Sequence, residues 1–161
     1  MSKPTFRVGL GHDIHRLQQG GQLVLGGVVV AEGLSPVAHS DGDVVYHALV
    51  DALLGAAGLG DIGEWFANSD PQWRSAPSRI FVERVMEQLR AQGWVVANAD
   101  LLILAERPKL KAFKEQMRRN VSELLGCAVN IKAGTNEGCD AVGRGEAIAA
   151  QAVVLVEMST D

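Results

Sequence analysis

Cysteine is scarce in this 161-residue chain, and its two positions, Cys127 and Cys139, form no CxxC pair. A disulfide framework is thereby excluded. No apolar run approaches the ~18 residues that a membrane-crossing helix needs. Met1-Ser2-Lys3-Pro4-Thr5-Phe6 lacks the apolar region of a signal peptide. Positive charge is in deficit, with 15 Lys+Arg against 19 Asp+Glu, which argues against a broad nucleic-acid-binding face. The pairs Gly20-Gly21 and Gly26-Gly27 make neither a GxGxxG nor a phosphate-binding P-loop, and no GxSxG elbow is present. Linker-like stretches and repeat periods are missing too. What remains is 47% hydrophobic and 21% charged residues, enough to bury one core. The expectation is one domain over residues 1–161, working in a reducing, cytoplasmic compartment with neither nucleic acid nor membrane as partner.

Hydropathy patterning sets out the elements. Phe6 to Leu10 alternates as a strand and runs into Gly11-His12-Asp13-Ile14-His15. Leu23-Val24-Leu25 and Val28-Val29-Val30 flank Gly26-Gly27, which predicts a hairpin whose turn needs positive φ. Ser40 or Asp41 can cap a helix carrying Val44, Val45, Ala48, Leu49, Ala52, Leu53 and Ala56. A second helix is expected from Pro77 or Ser78 to Gly93, and a third around Phe113, Met117, Val121, Leu124 and Leu125, ending at Gly126. Val95 to Leu104 reads as a strand buried on both faces, and Val129 to Ala133 alternates as another. Ala147 to Met158 is open between strand and helix. Strands separated by helices, plus one hairpin, predict an α+β or α/β sandwich with a mixed sheet.

Asp13 and His15, two apart on a strand end, point the same way. With His47 inside the first helix they make a His2Asp set, three ligands with one position left for water or a substrate oxygen. Those donors suit zinc and equally a non-haem iron. Asp43 and Asp51 flank His47 by four residues each, so either can hold its second ring nitrogen. His39-Ser40-Asp41-Gly42-Asp43 gathers polar groups at a helix start, and Gly134-Thr135-Asn136-Glu137-Gly138 follows a predicted strand. Both can meet a phosphorylated ligand, as can Arg107-Pro108-Lys109; each also reads as ordinary capping, turn or solvated chain.

Taken together, several motifs in one order resemble the 2-C-methyl-D-erythritol 2,4-cyclodiphosphate synthase family, from about Arg7 to Val156. The resemblance rests on Ala38-His39-Ser40-Asp41-Gly42-Asp43, His47-Ala48-Leu49, Asp51-Ala52-Leu53-Leu54-Gly55-Ala56, Gly60-Asp61-Ile62-Gly63, Arg107-Pro108-Lys109 and Gly143-Arg144-Gly145-Glu146. It implies a four-stranded mixed sheet with helices on one face plus the hairpin, assembled as a homotrimer with active sites between subunits. It also implies a reaction: 4-diphosphocytidyl-2-C-methyl-D-erythritol 2-phosphate closes to the 2,4-cyclodiphosphate and expels CMP. By the same resemblance Asp13, His15 and His47 bind Zn2+ and touch substrate, Glu137 binds a second ion, Mg2+ or Mn2+, and His39 and Thr135 are catalytic. Ser40, Asp61, Ile62, Gly63 and Phe66-Ala67-Asn68-Ser69-Asp70 fall on the erythritol-phosphate side. Ala105-Glu106-Arg107-Pro108-Lys109-Leu110-Lys111 falls on the cytidine pocket, and Gly134-Thr135-Asn136-Glu137 on the phosphate loop.

The chain departs from the family pattern in places. Phe66-Ala67-Asn68-Ser69-Asp70 stands where Phe-Pro-Asp-Thr-Asp is usual, and Asn136 replaces a threonine. Gly138-Cys139-Asp140-Ala141-Val142 replaces Lys-Leu-Gly-Phe-Thr. In the family an aromatic ring of that segment and the following arginine line an axial cavity that can hold a prenyl diphosphate. Here Arg144 is kept, while Ala141 takes the place of the ring. Two rivals to the synthase reading are a metal-dependent phosphoester hydrolase with a water nucleophile and a non-catalytic trimeric binding module.

Overall fold

A computed structural model describes residues 5–160. Strand β1 (Phe6–Leu25) turns into β2 (Val28–Pro36), and helices α1 (Val44–Ala57) and α2 (Ile62–Trp65) follow. A 3-10 turn at Pro71–Trp73 leads to α3 (Arg79–Ala91), β3 (Trp94–Leu104), α4 (Lys114–Leu125), β4 (Ala128–Gly134), α5 (Asp140–Gly143) and β5 (Ala147–Met158). The strands form one sheet in the order β2-β1-β5-β3-β4, antiparallel except for the β3–β4 pair.

The sheet therefore has five strands and not four, because β1 does not end near His15. Its first half, Phe6 to Arg16, pairs with β5, and its second half, Leu17 to Leu25, pairs with β2. The hairpin strand is thus the fifth member of the sheet. The open question over Ala147 to Met158 resolves entirely as strand. β3 is buried on one face only: Trp94, Val96, Ala99, Leu101 and Ile103 point to the core, while Val95 is exposed.

Apart from His47 and Asp51, helix α1 is almost wholly apolar, and it is covered on almost every side, by the sheet and by α3. Its seat on β1 is made by glycine. A Cβ on Gly9 would run into the carbonyl oxygen of Ala52, and one on Gly11 into that of Ala48. Two glycines facing Ala48 and Ala52 let helix and strand backbones touch, so residues at the start of α1 come within reach of the middle of β1.

The turn Leu25-Gly26-Gly27-Val28 has φ of +55° and +74° at its two glycines, as a two-residue hairpin requires. Its amides bond to a helix cap: Gly26 and Gly27 N–H donate to Asp43 Oδ1 and Oδ2, both at 2.9 Å. Asp43 also accepts from Val45 and Tyr46 N–H at 3.1 and 3.2 Å. The cap of α1 is therefore Asp43 and not Ser40 or Asp41, because only Asp43 can serve both the helix and the hairpin turn.

Candidate active site

Alternation along β1 places Asp13 and His15 on the α1 side of the sheet, half-buried, and the close helix seat brings His47 to them. His15 Nε2 lies 2.9 Å and His47 Nδ1 3.0 Å from Asp13 Oδ2, and the two ring nitrogens are 3.3 Å apart. Among the described residues this is the group of His, Cys, Asp and Glu that converges as a metal site, its ligand atoms all within 4.8 Å of one another. Burial pushes the Asp13 carboxyl up, but hydrogen bonds from His15 and His47 and their charge outweigh it, holding the group at about 2. An ionised oxygen and two imidazole nitrogens facing one point fit a divalent cation with an open fourth position.

The far side of His47 is held differently from the sequence expectation. Neither Asp43 nor Asp51 touches the ring. Asp43 is occupied by the hairpin and the cap, and Asp51 Oδ1 accepts the Ile62 N–H at 3.0 Å, tying α2 to α1. His47 Nε2 instead lies 2.8 Å from Ser78 Oγ and 3.1 Å from Ser40 Oγ. Sequence reading took Ser78 only as a helix start; its contact spans 31 residues, and no local pattern signals it.

An aromatic stack backs the ring. Phe81 lies 5.9 Å from His47 at 28°, Phe66 stacks on Phe81 at 4.3 Å, and Trp73 packs edge-on to both at 5.3 and 5.5 Å. The stack couples His47 to the segment Phe66 to Asp70, and His39 Nε2 adds a tether by donating to the Asp70 carbonyl at 3.0 Å. The result is a cleft of about 250 Å³ that gathers Asp13, His15 and His47 with His39, Ser40, Ile62, Gly63, Phe66 and Asn68. Phe81, Trp73, Val37 and Ala38, none of them a candidate site residue from the sequence, complete its wall. Asp61 caps α2 by accepting Glu64 N–H at 3.0 Å, and Asp70 caps the 3-10 turn through Gln72 N–H. Asp61, Ala67, Ser69 and Asp70 do not line the cleft.

The remaining candidates assemble elsewhere. Ala105, Pro108, Lys109, Leu110 and Lys111 join Lys114, Ala133, Gly134 and Thr135 around a second cavity of about 430 Å³. No residue lines both cavities. Beside the second one, Glu137 sits at φ +52° in an exposed turn, where Thr135 Oγ1 donates to its Oε1 at 3.3 Å. Arg107 lies with Pro108 at a separate groove beside β2, and Glu106 Oε2 is buried with no hydrogen-bond partner. Arg144 pairs with Glu146 at 3.0 Å, and Ala141 packs with Val142, Ala147, Ala149 and Leu104.

The 2-C-methyl-D-erythritol 2,4-cyclodiphosphate synthase of Thioalkalivibrio sulfidiphilus is 49% identical over 156 residues, 95% of this chain and 98% of that protein. The chloroplastic enzyme of that name from Arabidopsis thaliana is 44% identical over 161 residues, 96% of this chain and 70% of its own. Among solved structures, IspF of Plasmodium falciparum in complex with CDP superposes with a TM-score of 0.86 at 29% identity, covering 99% of this chain and all of that one. The bifunctional IspDF of Campylobacter jejuni reaches 0.91 at 36% identity over 95% of this chain and 42% of that one. The sequence pattern of the YgbB family matches residues 6–157, and the chain belongs to that family.

Proposed function

We propose that the protein is a 2-C-methyl-D-erythritol 2,4-cyclodiphosphate synthase, a phosphorus–oxygen lyase of non-mevalonate isoprenoid precursor synthesis. The observation that carries this reading is the Asp13–His15–His47 set opening onto a cleft that also holds His39 and Ser40. In the reaction an oxygen of the substrate's own 2-phosphate bonds to the β-phosphorus of its diphosphate. The bond from that phosphorus to the bridging oxygen breaks, and CMP leaves with the electron pair. The nucleophile is already an anion, so the protein needs no general base; it must position the two ends and stabilise charge.

Asp13, His15 and His47 would hold zinc, which supplies Lewis acidity at the β-phosphate when bound. Glu137 would hold Mg2+ or Mn2+, supported by its exposed carboxylate in the Thr135–Gly138 turn. His39 and Thr135 would stabilise the transferring group from opposite sides. His39 also fixes the loop ending at Asp70, so substrate contact and loop position are linked at one ring. The cavity of Lys109, Leu110 and Thr135 would take the cytidyl half, with Lys109 and Lys111 meeting phosphate.

A homotrimer with shared sites is supported by two features. The metal cleft and the cytidyl cavity have no lining residue in common. The outer sheet face carries Val8 at 67% and Leu10 at 69% exposure beside Ile14 and Val153, an apolar surface that association would cover. The two free cysteines accord with work in the cytoplasm.

The test is product identification by mass spectrometry after incubation with the cytidyl substrate and Mg2+. CMP together with the cyclic diphosphate is expected. Inorganic phosphate or a linear product would favour the hydrolase, and no turnover by a zinc-loaded trimer would favour the binding module.

A further inference from the structure

Ser78 is the residue before α3 and is fully buried, yet its hydroxyl bonds to no amide of its own helix. A serine at this place usually spends its oxygen on such an amide. Here the hydroxyl turns away and donates to Asp41 Oδ1. Asp41 is itself aligned by two backbone amides, Ser78 N–H on Oδ2 at 3.0 Å and Asp43 N–H on Oδ1 at 3.1 Å. A carboxylate only accepts and a hydroxyl has one hydrogen, so the oxygen of Ser78 has only lone pairs left for His47 Nε2 at 2.8 Å.

We propose that Asp41 and Ser78 form a directional relay that fixes the ring of His47 with a proton on Nε2 and holds Nδ1 turned toward Asp13 and His15. Ser78 is thus a positioning residue for the metal centre, and Asp41 sets the sense of its hydroxyl. The inference deepens the metal reading of the three ligands, although the relay itself stands on contacts that involve no metal. Ser40 also reaches Nε2, but at 3.1 Å and while accepting from Gly42 N–H at 3.2 Å. The arrangement explains why the helix-start sequence carries two aspartates with different tasks. Asp43 joins the helix to the hairpin, and Asp41 reaches across to α3.

The test uses the full chain labelled with 15N-histidine, with Ser78→Ala and Asp41→Asn as variants. In metal-free wild type, two-dimensional NMR should find a proton on His47 Nε2 that is shifted downfield and exchanges slowly with water. In folded Ser78→Ala that proton should move upfield and exchange faster. Zinc affinity, measured by chelator competition, should fall roughly 10–100-fold. Asp41→Asn, which lets the hydroxyl reverse, should move both readouts the same way by a smaller amount. A bare Nε2 in metal-free wild type overturns the relay whatever metal the protein binds. So does a folded Ser78→Ala protein with an unchanged Nε2 proton, or a Ser40→Ala protein that reproduces the whole loss. Wild type that shows the Nε2 proton but binds no zinc would sink the metal reading and leave the relay standing.

Discussion

The carbonyl oxygen of Ala48 occupies the place where a side chain on Gly11 would begin. That contact seats α1 on β1, and it sets the distance between His47 and Asp13 and His15 on the strand. Gly11→Ala should push helix and strand apart, at a cost of about 3 kcal/mol or more in unfolding free energy. Zinc affinity should fall with it, although Gly11 binds nothing. Urea denaturation and metal titration of the same preparation would check both, and an unchanged zinc affinity would contradict the proposed coupling.

Asp43→Asn tests the joint between hairpin and helix. An asparagine offers one accepting oxygen where four amides now find two; with that oxygen in the Oδ1 place, its NH2 faces the Gly27 N–H. Leaving buried donors unpaired costs about 1–3 kcal/mol each, so a loss of about 2–4 kcal/mol is expected. Chemical denaturation gives the number. A loss below 0.5 kcal/mol would show that the joint is not stabilising.

His47→Ala should remove one of three protein ligands and abolish turnover while far-UV circular dichroism stays near wild type. Asp51→Asn should leave metal content intact, because Asp51 contacts the Ile62 amide and not the His47 ring. Zinc analysis of the purified proteins separates the two. Full zinc occupancy in the histidine variant would remove the central claim.

Sharing of sites between subunits predicts complementation. His47→Ala and Glu137→Ala chains, each inactive alone, should regain measurable turnover when mixed trimers form. Mixed trimers without any activity would place both halves of the site on one chain.

The axial segment gives the last prediction. Asp140 accepts Val142 and Gly143 N–H at 2.8 and 3.2 Å and the Asn136 amide at 2.9 Å, so its carboxylate is committed to its own turn. The missing ring at Ala141 is then the main departure. A buried aromatic contributes 150–250 Å² of contact at roughly 25 cal/mol per Å², so losing part of it costs about 1 kcal/mol or more. Calorimetry should find no sub-micromolar affinity for geranyl or farnesyl diphosphate, and Ala141→Phe should tighten binding.

The sequence was most legible where chemistry is local. Gly26-Gly27 specifies its turn, Gly126 ends α4, and alternation orients Asp13 and His15 correctly. It was least legible where one residue serves two masters. Asp41 reads as a cap and Asp43 as a partner of His47, and only the three-dimensional position of the hairpin and of Ser78 assigns their tasks. β1 was cut short for a similar reason. Gln18-Gln19-Gly20-Gly21 is polar and glycine-rich because it is a solvated hairpin arm, a pattern that reads like loop. The aromatic stack was invisible because Phe66, Trp73 and Phe81 come from three separate segments.

The ligand-bearing half of β1 hydrogen-bonds to β5, with Asp13 opposite Ala150 and His15 opposite Ile148. Of all the described elements β5 is made last. At 5–20 residues per second, the strand holding Asp13 and His15 waits about 7–27 s on the ribosome for its neighbour. The candidate metal site is therefore framed only once the whole sheet has been made. Until then the emerging chain carries its three candidate ligands, Asp13, His15 and His47, without the frame that orders them, exposed to whichever cation is most abundant.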